Sequence, residues 1–281
     1  EGLSCTLQAA KAAGVSTIGA GMNIDEASSI LRLDEAGGIG IIAVGYRRGC
    51  KPASDTLGGC FMWNDVDRIR ERIDEIKLNN RWCIIVAHAG EEFTALPSPY
   101  TRDKYLEFLD MGADIIVAHH PHVPMNYELI GEGANRKAIF YSLGNFIFDT
   151  DYQRAQYNTE KGVLLRLSLN ENGFDFDAMG IRIDRESEGI KRGELPRIFT
   201  NVDATQYELL KALSAKMFVA ATKRQQIYLN KAMAEYDPSQ WEEHFANPKR
   251  SGRVEGEALD FRIICPLAEK ENEQVWSKSH L

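Results

Sequence analysis

The sequence predicts an α/β fold whose second half is predominantly β. Short apolar runs alternate with amphipathic segments up to about residue 118, a pattern typical of strands alternating with helices. Beyond that point helical spacing fades, and residues 163–169 alternate apolar and polar side chains as a half-buried strand does. The 281 residues are 44% apolar and 26% charged, so the chain can bury a core without disulfide staples.

Local signals place the elements in order along the chain. The first helix ends at Gly14, a residue type that is common just past a helix end. The second begins at Asn64, a good N-cap, and presents a stripe of isoleucines on one face. A turn at 171–173 predicts a β-hairpin. The predicted elements are a helix over 3–13, strands at 15–18 and 40–44, a helix from Asn64 to Asn80, a strand at 83–87, a helix at 101–111, strands at 115–118 and 138–142, and a hairpin of 163–169 with 174–183.

The chain changes character at about residue 185. The segment 185–198 is polar and charged, which is typical of a linker, and a long helix is predicted to start at Asp203. We therefore expect a domain at 1–185 and a helical C-terminal extension at 186–281. The apolar stripe of that helix needs a partner surface, either the parent domain or a second copy in a homo-oligomer. The stripe consists of Leu209, Leu213, Met217, Ala220 and Ile227.

Charge and cysteine content argue against several functional classes. Asp and Glu outnumber Lys and Arg by 41 to 33, so binding to nucleic acid is not expected. The longest purely apolar run is about five residues, far short of the roughly 20 that span a bilayer. The five cysteines are widely spaced, as is typical of reduced thiols. We expect a cytoplasmic location, or a membrane-anchored, extracytoplasmic one if a preceding segment carries an anchor.

Four of the six histidines cluster at the ends of two predicted strands. His88 follows one strand, and His119, His120 and His122 follow the next. Strands joined by a single helix run parallel and end at the same edge of a sheet, where α/β proteins bind ligands. Imidazole suits Zn, Fe, Mn and Ni. The sequence therefore predicts a partial metal site at this edge, with an anion site that needs no metal as the alternative.

Pro121 adds a prediction about the geometry of this site. The residue before a proline is driven towards extended backbone, and residues i and i+2 of an extended segment project to the same side. We therefore expect His120 and His122 to point together towards one ion. Glu91 and Glu92 are by default solvated loop acids, and residues 142–146 by themselves are consistent with a strand that carries a glycine bulge.

Four blocks of the sequence have a specific order and spacing. The block at 2–21 ends in Gly-Ala-Gly, and 88–92 reads His-Ala-Gly-Glu-Glu. The block at 112–123 contains Gly-Ala-Asp and His-His-Pro-His-Val, and 141–148 reads Tyr-Ser-Leu-Gly-Asn-Phe-Ile-Phe. Together they resemble the capsule-synthesis CapA family (poly-γ-glutamate capsule proteins), a branch of the calcineurin-like metallophosphoesterases. The resemblance covers about residues 1–185.

The resemblance implies a four-layer α/β/β/α metallophosphoesterase-like sandwich with a site for two divalent metal ions (Mn, Zn or Fe) in the full-length protein. It implies hydrolysis of a phosphoester or an anionic polymer in capsule or surface-polymer biosynthesis, with other capsule-synthesis proteins as partners. The residues implied at the site are His88, His120 and His122 as metal ligands, His119 as the catalytic residue, and Glu92 and Asn145 on the substrate side.

The chain also departs from the family pattern. Ala89 and Ala118 stand where the family has Trp and Gly. The family places a bridging carboxylate, an Asn ligand and a general-acid His in strands that precede the first block, so we expect this chain to lack those N-terminal strands and to be inactive by itself. The alternative function is that of a noncatalytic accessory subunit of a polymer synthase or exporter, in which the metal site is structural.

Overall fold

The computed structural model describes residues 2–46, 50–93, 97–156, 158–187 and 189–202. Within this part of the chain, the helices are α1 (Gly2–Ala12), α2 (Ile24–Ala27), α3 (Val66–Asn79), α4 (Pro99–Met111) and α5 (Asp151–Arg154). The strands are β1 (Ala20–Gly21), β2 (Leu31–Leu33), β3 (Ile39–Gly45), β4 (Gly59–Cys60), β5 (Trp82–His88), β6 (Ile115–His119), β7 (Tyr127–Ile130), β8 (Lys137–Phe140), β9 (Lys161–Asn170), β10 (Gly173–Asp184) and β11 (Gly189–Arg192). Most predicted helices and strands are confirmed, with small shifts at their ends.

A six-stranded sheet forms the centre of the fold, in the order β2-β3-β5-β6-β8-β7. The four inner strands are parallel, and β2 and β7 pair antiparallel at the two edges. The inner strands are nearly continuous apolar runs because both faces of the sheet are covered. β5 and β6 are neighbours whose register ends with the pair His88 and His119. The parallel pairing expected from the sequence is therefore confirmed.

Helices α3 and α4 cover one face of the central sheet. Ile69, Ile73 and Ile76 of α3 are fully buried there, as is Phe108 of α4. α3 approaches the sheet closely because Gly40 has no side chain: a Cβ at this position would lie 2.6 Å from the Ile76 side chain. Each such isoleucine contributes about 1.5–3 kcal/mol by leaving water. The sheet residues in the same core include Ile42, Val44, Cys83, Ile85, Ala87, Ile116, Ala118 and Ile139.

A three-stranded antiparallel sheet, in the order β11-β10-β9, covers the opposite face. Side chains that alternate along β9 and β10 point towards the central sheet. Trp82 is buried between the two sheets, where its indole Nε1 donates to the carbonyl oxygen of Asn170 at 3.1 Å and its ring meets Phe174 edge-on. The predicted α/β fold is confirmed: of the four predicted layers α/β/β/α, the described residues contain the first three, helix, sheet and sheet.

Two local predictions about the first domain were wrong. Residues 15–18 do not form a strand; they lead into the two-residue strand β1. The residue that precedes α3 is Asp65 rather than Asn64, and its side chain makes no capping hydrogen bond. The packing of the isoleucine stripe, and not a cap, therefore defines where α3 begins.

The segment 185–198, expected to be a linker, contains the strand β11. β11 pairs antiparallel with β10 at the outer edge of the second sheet. Its side chains are mostly exposed, which explains why its composition resembles that of a linker. The chain then returns to the core, where Phe199 and Val202 are buried. The predicted helix after Asp203, including its stripe from Leu209 to Ile227, lies outside the described residues.

Among the described helices, none has the length and apolar character that crossing a bilayer would require.

Candidate metal centre

The loops that follow β5 and β6 meet at the carboxyl edge of the central sheet. Two backbone hydrogen bonds join them: the Ala89 amide donates to the His119 carbonyl at 3.0 Å, and the Phe93 amide donates to the Pro121 carbonyl at 2.9 Å. Gly90 makes the first turn with φ +115°, a conformation that favours glycine. The histidines of both strand ends are therefore held at one edge, as the parallel topology predicts.

The backbone of this edge lies partly in the left-handed region. Of the five non-glycine residues with positive φ in the described part of the chain, three belong to the site: Phe93 at +59°, His120 at +103° and His122 at +63°. The prediction that Pro121 keeps His120 extended was wrong. A proline excludes the right-handed helical region from the residue before it, but the sharp exit from β6 selects positive φ instead. Backbone of this kind costs about 1–3 kcal/mol per residue and is concentrated at functional sites.

Three side chains at this edge could hold a metal ion. Each of Glu92, His120 and His122 offers one ligand atom, and these atoms lie within 4.8 Å of one another. His120 Nε2 is 4.0 Å from Glu92 Oε1, and the His120 side chain is only 8% exposed. The sequence predicted the two histidines. Glu92, expected on the substrate side, has its carboxylate within 4.8 Å of the candidate ligand atoms of both histidines.

His88 and His119 lie beside this group. The centroid of the His88 ring is 5.0 Å from that of His120. Partial burial and the neighbouring His122 lower the pKa of His88 below its usual value, and burial and His88 lower the pKa of His119. The lowered pKa favours the neutral imidazole, the form that can ligate a metal or accept a proton. The assignment of His88 as a ligand and of His119 as the catalytic residue stays a prediction.

His122 is oriented by a buried amide. Asn145 is 6% exposed, and its Nδ2 donates to the Thr159 carbonyl oxygen at 3.1 Å. The amide oxygen Oδ1 therefore faces His122 Nδ1, 2.9 Å away, and accepts the proton that Nδ1 carries. Nε2 of His122 is left with a free lone pair, as metal ligation requires. This is the usual way in which a second group fixes the ring of a histidine ligand.

Two aromatic rings also hold His122 in place. Phe93 and Phe148 each stack on the His122 imidazole in near-parallel geometry, with centroid distances of 5.5 Å and 5.2 Å. Phe148 belongs to the block at 141–148 singled out in the sequence, whereas nothing in the sequence indicated Phe93. The rings restrict rotation of the imidazole, and Phe148, which is 49% exposed, forms part of the rim of the site.

A buried polar cluster supports Asn145 from behind. Thr159 is fully buried; its hydroxyl donates to the Gln153 carbonyl at 2.6 Å and accepts from Arg185 at 3.2 Å. Arg185 is also paired with Asp149 at 3.1 Å. These residues come from α5, the loops on either side of it and the turn that follows β10. Their role depends on tertiary contacts, and no local sequence pattern could have revealed it.

Glu91 has a structural role that its sequence context did not indicate. Its carboxylate accepts hydrogen bonds from the Ser98 amide at 3.0 Å, the Ser98 hydroxyl at 2.6 Å and the Thr101 hydroxyl at 2.9 Å. Ser98 is the N-cap of α4. A carboxylate at a helix N-terminus is stabilised by the helix dipole. Glu91 therefore fixes α4 to the loop that carries Glu92 and is not the solvated acid predicted from the sequence.

Two curated proteins with similar sequences are named for capsule or PGA biosynthesis. The capsule biosynthesis protein CapA of Bacillus anthracis is 32% identical over 179 residues, which are 62% of this chain and 41% of that protein. The PGA biosynthesis protein CapA of Bacillus subtilis (strain 168) is 29% identical over 177 residues, 62% of this chain and 44% of that protein. The chain thus spans less than half the length of these relatives.

The chain is also similar to a solved structure and to a protein family. The sulfate thiohydrolase SoxB of Thermus thermophilus superimposes with a TM-score of 0.33 at 16% identity, over 58% of this chain and 26% of that one. Residues 1–150, just over half of the 281, match the family described as bacterial capsule synthesis protein PGA_cap. The family resemblance found in the sequence is thereby confirmed, and the chain belongs to this bacterial capsule synthesis family.

Proposed function

We propose that the protein to which this chain belongs is a metal-dependent hydrolase of the metallophosphoesterase type that acts in the synthesis of a bacterial capsule or surface polymer. The observation that carries this proposal is the convergence of Glu92, His120 and His122 at the carboxyl edge of the sheet, with their ligand atoms within 4.8 Å. Family membership supports the capsule setting. The substrate in this proposal is a phosphoester or an anionic polymer, such as the PGA named for the Bacillus subtilis relative.

The donor set fits a divalent transition metal. One carboxylate and two imidazoles suit Zn, Mn or Fe. The site shows two properties that a chance cluster of polar groups would not share: the His120 side chain is almost fully buried beside the Glu92 carboxylate, and a buried amide sets the tautomer of His122. The ring centroid of His88 lies 5.0 Å from that of His120. His88 could therefore supply a ligand to a second ion of a two-metal site.

A divalent ion, when bound, would polarise a phosphoryl oxygen and lower the pKa of a coordinated water. The chain's own residues then have distinct tasks. Asn145 and the stacked ring of Phe148 keep His122 in one orientation. Burial lowers the pKa of His119, which favours the neutral imidazole that could accept a proton from a group at the site.

Metal titration of the purified chain tests the proposal. We expect Zn²⁺ or Mn²⁺ to bind, and Glu92→Gln to weaken its binding by about 100-fold or more, because a lost ligand should cost more than the 10–100-fold typical of a lost supporting partner. Glu132→Gln is the matched control, since Glu132 is an exposed acid outside the site. Equal affinities for Glu92→Gln and the unaltered chain would contradict the metal site.

Turnover separates the hydrolase from the accessory subunit. The protein at the full length of its relatives should hydrolyse an aryl phosphodiester, and His120→Asn should abolish that activity. Metal that binds at the site without any turnover would instead favour the noncatalytic role at a polymer synthase or exporter.

A further inference from the structure

Two cysteines that the metal site does not use, Cys50 and Cys60, lie on neighbouring segments of the chain. Pro52, two residues after Cys50, pairs with Cys60 in a parallel β-bridge. Both cysteines pack over Gly45, the last residue of β3: a Cβ built on Gly45 would lie 2.6 Å from Cys50 Sγ and 3.8 Å from Cys60 Cβ. The two side chains therefore share the space that the absent Gly45 side chain leaves open.

The backbone holds the two cysteines in this relation. The Cys60 amide donates to the Lys51 carbonyl at 2.7 Å, and the Ala53 amide donates to the Cys60 carbonyl at 3.0 Å. Cys60 is also paired with Ala20 in the small β1–β4 sheet. Hydrogen bonds on both sides of Cys60 thus hold the two chain segments side by side, so the proximity of the two cysteines follows from the backbone of the fold.

Among the described cysteines, only Cys50 and Cys60 combine partial exposure with a second cysteine nearby. Cys50 and Cys60 are both partly exposed, so a small reagent can reach them. Cys83 is buried in the core under α3, and burial raises its pKa to about 12. Cys5 is exposed on α1. Burial and the Cys60 side chain raise the pKa of Cys50 to about 11, so neither alkylation nor oxidation of Cys50 is fast at neutral pH.

We propose that Cys50 and Cys60 form a reversible disulfide bond in the folded protein. With oxidised glutathione as the oxidant, one cysteine thiolate attacks the glutathione disulfide and releases one glutathione thiol. The second cysteine then displaces the other glutathione and closes the protein disulfide. Two electrons and two protons pass in total from the two cysteines to oxidised glutathione, which becomes two molecules of reduced glutathione.

The bond would join Cys60 of β4 to Cys50, which lies beside Gly45 at the carboxyl end of β3. Gly45 is paired in register with His88, and the Tyr46 amide donates to the His88 carbonyl at 3.0 Å. The oxidised form should therefore resist unfolding more than the reduced form, with a melting temperature higher by about 5 °C for a loop of this size.

Peptide mapping of the folded chain tests this proposal. Trypsin cuts after Arg48 and Arg68 but not after Lys51, which precedes a proline, so the peptide 49–68 contains both cysteines of the pair and no other. After incubation with glutathione buffers, acid quenching and alkylation, we expect this peptide to be about 2 Da lighter and unalkylated. At one fixed concentration of reduced glutathione, the folded chain should be half oxidised at a concentration of oxidised glutathione at least about tenfold lower than the urea-unfolded chain requires. The reason is that the fold holds the two cysteines close together.

Variants and alternative outcomes complete the test. Cys50→Ser and Cys60→Ser should each abolish the lighter peptide, whereas Cys5→Ser should retain it. The proposal is overturned if both cysteines stay open to alkylation in the folded chain, if each carries a separate glutathione, or if folding gives no advantage over the unfolded chain. The readout on the unaltered chain decides the matter even if a variant fails to fold.

Discussion

The loops that follow β5 and β6 differ from the strands themselves in burial and in backbone conformation, although each loop follows its strand directly. The strands are apolar runs with ordinary backbone, buried between α3 and α4 on one side and the second sheet on the other. The loops contain left-handed backbone at Phe93, His120 and His122 and present polar side chains to one another. The strands stabilise the fold, and that stability lets the loops hold a conformation that would be unfavourable by itself.

This difference predicts that substitutions in the core lower the free energy of unfolding, whereas substitutions in the loops weaken metal binding. The largest effect is expected in the core. Phe108→Ala removes a fully buried ring that packs against the central sheet and should lower the free energy of unfolding by about 3–5 kcal/mol. Phe148→Ala, at a ring that is 49% exposed, should cost far less stability but weaken metal binding. Chemical denaturation of both variants checks this, and similar losses of stability would remove the distinction between the two regions.

The next largest effect is expected on metal affinity from a residue that does not touch the metal. Asn145→Ala removes the acceptor of His122 Nδ1 and should weaken Zn²⁺ binding by about 10–100-fold, measured by competition with a chelator. Asn172→Ala, an exposed site in the β9–β10 turn, serves as the matched control and should leave the affinity unchanged. An affinity that is the same in both variants would show that His122 is not oriented in this way.

The smallest effect is expected from the backbone turn that joins strand to loop. Gly90→Ala places a Cβ on a residue with φ +115°, in ordinary contact with Pro121 at 3.4 Å, so the cost comes from the backbone conformation and not from a clash. We expect a loss of about 1–2 kcal/mol in the free energy of unfolding. Gly173→Ala, where no atom lies within 4 Å of the added Cβ and φ is not positive, should cost less and is the control. Equal losses would mean that Gly90 is not conformationally required.

The same division explains what the sequence could predict. Continuous apolar runs gave β3, β5 and β6 nearly to the residue, and the rule that parallel strands end at one edge brought His88 and His119 side by side. The sequence therefore placed the histidines that follow β5 and β6 at the same edge of the sheet. The isoleucine spacing of α3 was equally informative, because the residues that a helix buries recur every three or four positions in the sequence.

What the sequence did not predict depends on tertiary contacts. The exposed edge strand β11 has too few buried side chains to show a strand pattern. Glu91 and Glu92 are adjacent acids of the same type. Glu91 accepts hydrogen bonds at the N-terminus of α4, whereas Glu92 faces two imidazoles. The hydrogen bond of Asn145 to the Thr159 carbonyl joins segments that no local rule relates. Pro121 restricted His120 but did not determine which of the remaining conformations it adopts.

We propose that Glu92, His120 and His122 together hold one divalent ion. Anomalous diffraction from crystals of the chain soaked in Zn²⁺, with data collected on both sides of the zinc absorption edge, locates such an ion. We expect a strong anomalous peak enclosed by these three side chains, which disappears in Glu92→Gln crystals soaked at the same low concentration. A peak at another place, with this edge of the sheet left empty, would show that these side chains do not form a metal site.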